Sequence, residues 1–239
     1  MDKNVTSPAL GRIGVFDLET TGIDVSTARV VTAAVCLVGP DGQVERSLGW
    51  LADPGVEIPE QAEAVHGIST ARARADGRPA AEVVAEIIDA LRALMTAGLP
   101  IVVYNAPYDF SLLHEEALRH GIEPLPAPAP IIDPLVIDKA VDRFRKGKRT
   151  LEAAAVHYGV VLSDAHDAAA DAVAAGRVAQ AMAARYPERF TGGMDELHRA
   201  QVDWFREQAE SFEEYMRRSK NPAFRAARGW PLRSAADVS

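Results

Sequence analysis

The run VFDLETTG, Val15 to Gly22, sets two carboxylates, Asp17 and Glu19, into an otherwise apolar segment. A strand alternates its side chains between faces, so both acids fall on one side. Two like charges a few ångström apart repel, and each loses hydration on burial. They therefore need a shared proton, a basic partner or a metal ion. No Lys or Arg is nearer in the sequence than Arg12 and Arg29.

Further acids stand in comparable places. Asp109 follows YNAP at the start of a predicted helix, beyond the carboxyl end of a predicted strand, where open α/β sheets place ligands. That position also suits an ordinary helix N-cap. Asp171 lies in the alanine-rich HDAAADA, with His166 five residues before it. That spacing works if His166 lies in the loop or first turn and Asp171 on the first ordered turn. Asp17, Glu19, Asp109 and Asp171 around one point would repel one another and would offer an all-oxygen donor set for Mg²⁺ or Mn²⁺. Two such ions about 3.5–4 Å apart suit in-line attack on a phosphodiester. An imidazole such as His166 suits general-base work near neutrality. The plain alternative is a histidine facing solvent. His114, His120 and His157 read as packing or helix-surface residues.

These side chains need elements to position them. Ile13 to Leu18 reads as a central strand. RVVTAAVCLVG and QVERSLGWL, joined by the turn GPDG, read as an antiparallel hairpin. The following loop, with two prolines, carries a short helical turn. Val83, Val84, Ile87, Ile88, Leu91 and Leu94 form the apolar stripe of a helix entered at Pro79. Alternating strands and helices follow: IVVYN, YDFSLLHEEALRHG, APIIDP, PLVIDKAVDRF, TLEAAAVHYG, and a long alanine-rich helix from about Asp164. This order predicts a mixed sheet covered by helices. Gly192 and Gly193 mark a hinge. Beyond them Leu197, Trp204, Phe205, Phe212, Tyr215 and Met216 recur at helical spacing and need a partner surface. No G-x-G-x-x-G or Walker lysine loop is found.

The chain of 239 residues carries 34 acidic and 26 basic residues, a formal net charge of -8. That excludes a generally basic coat, so contact with a polyanion must be local or metal-assisted. The single Cys36 reads as a small core residue. No apolar run approaches the roughly 20 residues that span a bilayer, and a cytoplasmic protein with no membrane contact is the expectation.

FDLETTG, HGIS from His66, NAPYDFSLL and HDAAADA, in this order, resemble the motifs of the DnaQ-like, DEDDh-type 3'-5' exonucleases. This family includes the epsilon-type proofreading subunits of bacterial DNA polymerase III. The likeness covers Ile13 to Tyr186 and implies a ribonuclease H-like α/β fold with a mixed five-stranded sheet and a C-terminal helical extension. The expected division is an exonuclease domain over 10–187 and an extension with a basic tail over 188–239. Asp17, Glu19, Asp109 and Asp171 are then expected to hold two divalent cations, Mg²⁺ or Mn²⁺, with Asp17 bridging them and His166 as general base. Thr20, Thr21, Gly22, His66, Asn105 and Phe110 are expected near the substrate, with a packing role equally open for His66, a wedge or core role favoured for Phe110, and Asn105 holding the turn that presents Asp109. The implied reaction releases nucleoside 5'-monophosphates from a nucleic-acid 3' end, with single-stranded DNA favoured. Short RNA, or attachment to a polymerase through the aromatic C-terminal helix, are the rival readings. Two basic clusters, RFRKGKR from Arg143 and the tail Arg217 to Arg233, are candidate strand contacts.

Overall fold

Strand β1, Ile13–Thr20, divides the protein into two apolar layers. Phe16 and Leu18 point into one core, and Ile13 and Val15 into the other. In the computed structural model, which describes residues 10–162 and 166–233, β1 is central in a mixed sheet. It pairs antiparallel with β2 (Val30–Val38), which pairs antiparallel with β3 (Val44–Asp53). The turn GPDG joins β2 and β3 as expected. On its other side β1 pairs in parallel with β5 (Ile101–Val102), and β5 with β6 (Ile131–Ile132). These are the five expected strands. A two-residue strand, β4 (Arg78–Pro79), adds a sixth beside β3, so the sheet order is β4-β3-β2-β1-β5-β6.

Between β3 and β4 the sequence suggested one helical turn, and two seven-residue helices form instead. Helix α1, Glu60–His66, ends at Gly67, whose φ of 72° lies in the left-handed region that favours glycine. Helix α2, Thr70–Asp76, begins at once because the Ser69 side chain accepts the Arg72 N–H. Helices α3 (Ala80–Thr96) and α4 (Ala106–Arg119) cover the Phe16 face. Helices α5 (Pro134–Val141), α6 (Leu151–Tyr158) and α7 (Ala168–Arg185) belong to the Ile13 face. Thr150 caps α6 and Gly159 ends it, as expected.

Helix α7 lies directly on β1. Its buried residues include a run of small ones, Ala172, Ala175, Gly176, Ala179 and Ala183, beside the larger Val173, Val178 and Met182. A Cβ on Gly176 would stand 2.6 Å from Val15 Cγ1, so only glycine permits this approach. The helix starts at Ala168 rather than near Asp164, with Asp167 as its N-cap. Asp171 is therefore a first-turn residue, and residues 163–165 lie outside those described. A short 3-10 turn, Pro187–Arg189, leads to α8, Met194–Ser219.

Helix α8 packs on α5 and β6 and covers the open edge of the sheet. Gln201 accepts the Asp133 N–H at 2.7 Å and donates to the Ile131 carbonyl at 2.9 Å, while His198 Nδ1 accepts the Ile131 N–H. Two side chains thus satisfy backbone groups that an edge strand would leave open. The segment after α8 returns to the first core, where Trp230 is buried. No helix among the described residues is long and apolar enough to cross a membrane.

Candidate active site

Because Ile13 and Val15 face α7, the next two residues in the same alternation, Asp17 and Glu19, face the start of α7. There β1 loosens. Its register with β2 shifts between Glu19 and Thr20, a bulge of the kind that re-aims side chains at sheet ends. Its parallel pairing with β5 stops at Val15 and Val102. Beyond that point the Leu18 N–H donates to Asp109 Oδ1 at 3.1 Å. Asp109 is thus locked, almost wholly buried, against the backbone between the two β1 acids. It is not the N-cap of α4. That place is held by Asn105, whose φ of 66° is left-handed and whose N–H, with that of Ala106, donates to the Asp133 carboxylate.

From the other side, Asp171 Oδ2 accepts the His166 backbone N–H at 3.2 Å. His166 has a φ of 71°, strained for a residue with a side chain, and its ring is exposed. One ligand atom each from Glu19, His166 and Asp171 lies within 4.8 Å of the others. The separation of five that is awkward on a helix is resolved by the turn, as the sequence allowed.

The electrostatics mark this cluster as unusual. Burial raises the Asp17 carboxyl well above the ordinary range, and Asp109, Glu19, Asp171 and Asp167 push it further. Glu19 is pushed up to about 7, first by desolvation and then by Asp171 and Asp167. Asp109 and Asp171 are raised too, both mainly by burial. The leading charges acting on Asp17 and Glu19 are other carboxylates. Asp171 Oδ1 is buried and has no hydrogen-bond partner among the described residues. An orphaned carboxylate oxygen near further acids, with no basic partner for the β1 pair among the described residues, fits a hard divalent cation.

The remaining expected residues divide. Thr20, Thr21 and Gly22 form a tight turn: Thr20 Oγ1 donates to the Gly22 carbonyl, and Thr21 Oγ1 accepts the Arg29 N–H. A Cβ on Gly22 would meet nothing within 4 Å, so nothing inside the protein requires glycine there. His66 Nδ1 accepts the Ile68 N–H, which fixes the ring and sets it beside the Thr20 backbone. Desolvation lowers its pKa and favours the neutral ring. An open cleft of about 750 Å³ runs from His66 and Arg72 to His166 and Asp167. Phe110 corrects the expectation of a substrate contact. It is 3% exposed and packs on Phe16 at 5.8 Å between ring centroids, because it lies on the inward face of α4.

Three participants were missed. Asp167 is a fifth carboxylate at the site and the cap of α7, accepting the Ala169 and Ala170 N–H groups. Its place beside His166 in HDAAADA was the available signal. Tyr108, next to Asp109, donates its hydroxyl to the Gly22 carbonyl and so ties α4 to the turn after β1. Asp133 holds the start of α4, and its N-cap position in IIDP was its only sequence signal.

A protein-family model described as Exonuclease (RNase T) matches residues 15–179. Among solved structures, Escherichia coli exonuclease I in complex with a dA16 oligonucleotide is 22% identical, with a TM-score of 0.62 over 74% of this chain and 42% of that one. The zinc-bound complex of the same E. coli enzyme with single-stranded DNA gives 23% identity and a TM-score of 0.62, over 76% of this chain and 43% of that one. A full-length 3'-exonuclease shares 14% identity, with a TM-score of 0.62 over 79% of this chain and 65% of that one. At these identities the likeness is one of fold, and the chain spans less than half the length of the exonuclease I structures. No curated protein matches the sequence.

Proposed function

Because this chain belongs to the exonuclease family whose model covers residues 15–179, we propose that it is a metal-dependent 3'-5' exonuclease. Its substrate is single-stranded DNA, and its products are nucleoside 5'-monophosphates. The observation that carries this reading is the cluster of Glu19, His166 and Asp171, with Asp17 and Asp109 near enough that the acids raise the Asp17 carboxyl, and a buried oxygen of Asp171 without a partner among the described residues. Asp17, Glu19 and Asp171 would hold two divalent cations, with Asp109 supporting from its anchor on β1. Mg²⁺ or Mn²⁺ supplies charge stabilisation for the phosphodiester oxygens when bound.

The chain's own groups do the rest. By setting where the cations would be held, Glu19, Asp17 and Asp171 would set where the scissile phosphate can sit. The exposed ring of His166, beside Glu19 and Asp171, takes the proton of the attacking water at a ring nitrogen. The Thr20–Gly22 turn and the neutral His66 flank the path of the terminal nucleotide. Residues 10–187 make up the catalytic unit in this reading, and 188–239 an extension that buttresses it. The affinity with epsilon-type proofreading subunits belongs to the same proposal, and so does a nucleic-acid 3' end as partner.

The test is digestion, in parallel, of end-labelled single-stranded DNA, duplex DNA and short RNA, with Mg²⁺, with Mn²⁺ and with chelator. Metal-dependent mononucleotide release, fastest on single-stranded DNA, is expected. Release that persists in chelator, or preference for short RNA, overturns the mechanism or the substrate respectively.

A further inference from the structure

The two basic clusters of the sequence have different fates. In the RFRKGKR segment, Arg145 and Arg149 both bind the buried Asp138, Arg145 at 2.7 Å. Arg149 also donates to the carbonyls of Asp138 and Asp142, so this pair is a structural clamp on α5. In the tail, Arg217 and Arg225 pair with Glu213, and Arg228 with Glu210 and Glu213. Those guanidinium groups are spent on holding the tail against α8.

Arg143 of the first segment differs, because the fold brings it together with two cations from elsewhere in the sequence. An open groove of about 670 Å³ runs between α5 and α8 and carries Lys139, Arg143 and Arg189. None of the three meets a carboxylate within ion-pair distance among the described residues. One acid, Glu207, lines the same groove. Aromatic rings stand along it: Phe212 is 51% exposed and Tyr215 49% exposed, with Trp204 between α5 and α8. At its rim Phe144 is 88% exposed with the Arg143 guanidinium 6.0 Å from its centroid.

Exposed rings beside cations that meet no carboxylate among the described residues, on a protein of net charge -8, match the two features of a polyanion with flat bases. An acidic protein segment would use the cations but not the rings. One lining residue of the groove, Arg149, is tied by hydrogen bond to the segment that enters α4. The Arg149 carbonyl accepts the Tyr104 hydroxyl at 2.8 Å, one residue before Asn105, and Thr150 then caps α6.

Resting on the exonuclease reading, we infer that the α5–α8 groove holds the single-stranded segment upstream of the end being cut, phosphates on Lys139, Arg143 and Arg189, bases on Phe212 and Tyr215. The C-terminal extension is then a strand-holding element as well as a buttress.

The experiment separates this from the catalytic proposal by measuring binding with hydrolysis switched off. Anisotropy of labelled oligothymidylate of about thirty nucleotides, in chelator, is compared for the wild-type chain, the Arg143→Glu/Arg189→Glu pair and Phe212→Ala. These side chains are exposed, and thermal melting verifies that the variants fold. Phe212→Ala should weaken binding by about tenfold. The charge-reversal pair should flatten the salt dependence by about 0.7 per lost phosphate contact. In Mg²⁺, the KM ratio of the long strand to a trinucleotide should rise in both variants.

Variants that bind like wild type overturn the groove while leaving catalysis intact. Loss of binding in the variants of a protein that hydrolyses nothing sustains the groove and sinks the nuclease. Polyglutamate bound as tightly as the oligonucleotide, with no sensitivity to Phe212→Ala, overturns the strand in favour of an acidic protein partner.

Discussion

Asp133 and Trp230, 97 positions apart, meet in the interior, the indole Nε1 donating to Asp133 Oδ2 at 3.3 Å. The same carboxylate accepts the backbone N–H groups of Asn105, Ala106 and Leu135. Four donors from three parts of the chain therefore converge on one buried acid. The start of α4, which carries Asp109, is held by a residue that the C-terminal segment also grips. His198 on α8 completes the contact, its ring 5.0 Å from that of Trp230.

Asp133→Ala leaves buried backbone donors without an acceptor and should lower stability by about 3 kcal/mol or more. Trp230→Phe keeps most of the apolar burial and loses one long hydrogen bond, so about 0.5–1.5 kcal/mol is expected. Urea unfolding measures both. Turnover should fall further in Asp133→Ala than in Trp230→Phe, because only the former releases the Asn105 turn. Equal turnover in the two variants would separate Asp133 from the placement of Asp109.

Asp17→Asn removes a charge from the centre of the acidic cluster. Metal-dependent hydrolysis should drop by a factor on the order of 10³ or more, since the amide is a poor ligand and no other acid replaces it. The metal-free protein, by contrast, should melt higher than wild type, because repulsion with Asp109, Glu19 and Asp171 is relieved. Opposite signs for activity and stability distinguish a functional cluster from an ordinary structural one. A melting point that falls would show that Asp17 is held by favourable contacts after all.

The pH dependence of the metal-free protein follows from the same carboxylates. Glu19 is raised to about 7, and Asp17, Asp109 and Asp171 are raised as well. Between the ordinary carboxylate range and these values the folded state holds protons that the unfolded chain has released. Stability is then fully present below the unfolded values and is lost as pH rises through the folded ones. Melting in chelator should be highest near pH 5 and lower at pH 8. Millimolar Mg²⁺ should flatten the profile, because cations favour the ionised forms. A chelated protein that gains stability between these pH values contradicts the assignment.

His166→Ala should slow hydrolysis by about 10²–10⁴ if the ring accepts the proton of the attacking water. The left-handed φ of 71° means the substitution also relaxes or shifts the turn, so rate alone is not decisive. The discriminating readout is chemical rescue. Imidazole added to the buffer should restore part of the variant's rate if the ring's work is proton transfer. No recovery with imidazole assigns His166 to holding the turn or ligating a cation.

Much of this site was legible because its chemistry is local in sequence. The alternation of β1 alone puts Asp17 and Glu19 beside each other, and a capped, alanine-rich helix accounts for Asp171. Phe110 misled because a ring next to Asp109 on a helix can face either way, and only packing on Phe16 decides. Asp133, Trp230 and the grouping of Arg143 with Lys139 and Arg189 were hidden for another reason. Their partners lie tens of residues away, and the segment around Trp230 has no period to say that it is core. The basic runs were the most deceptive, since Arg145 and Arg149 spend their charge on Asp138. Electrostatic patches are set by who pairs with whom, which composition cannot show.

Gly176 is the least conspicuous residue on which the site depends. A methyl group there would lie 2.6 Å from Val15 Cγ1 and 3.3 Å from Ile13 Cδ1, both fully buried. Gly176→Ala gains up to about 1 kcal/mol in helix propensity. It forces α7 off β1 at an overpacking cost of about 1–3 kcal/mol, and a net loss is expected. The same displacement moves Asp171, one and a half turns earlier on α7, away from Glu19, so turnover should fall more than the stability change alone explains. Adding Val15→Ala restores room for the methyl. The double variant should recover turnover relative to Gly176→Ala, even though Val15→Ala by itself is destabilising. Purely additive effects on stability and turnover would mean that the α7–β1 spacing does not set the distance between the acids.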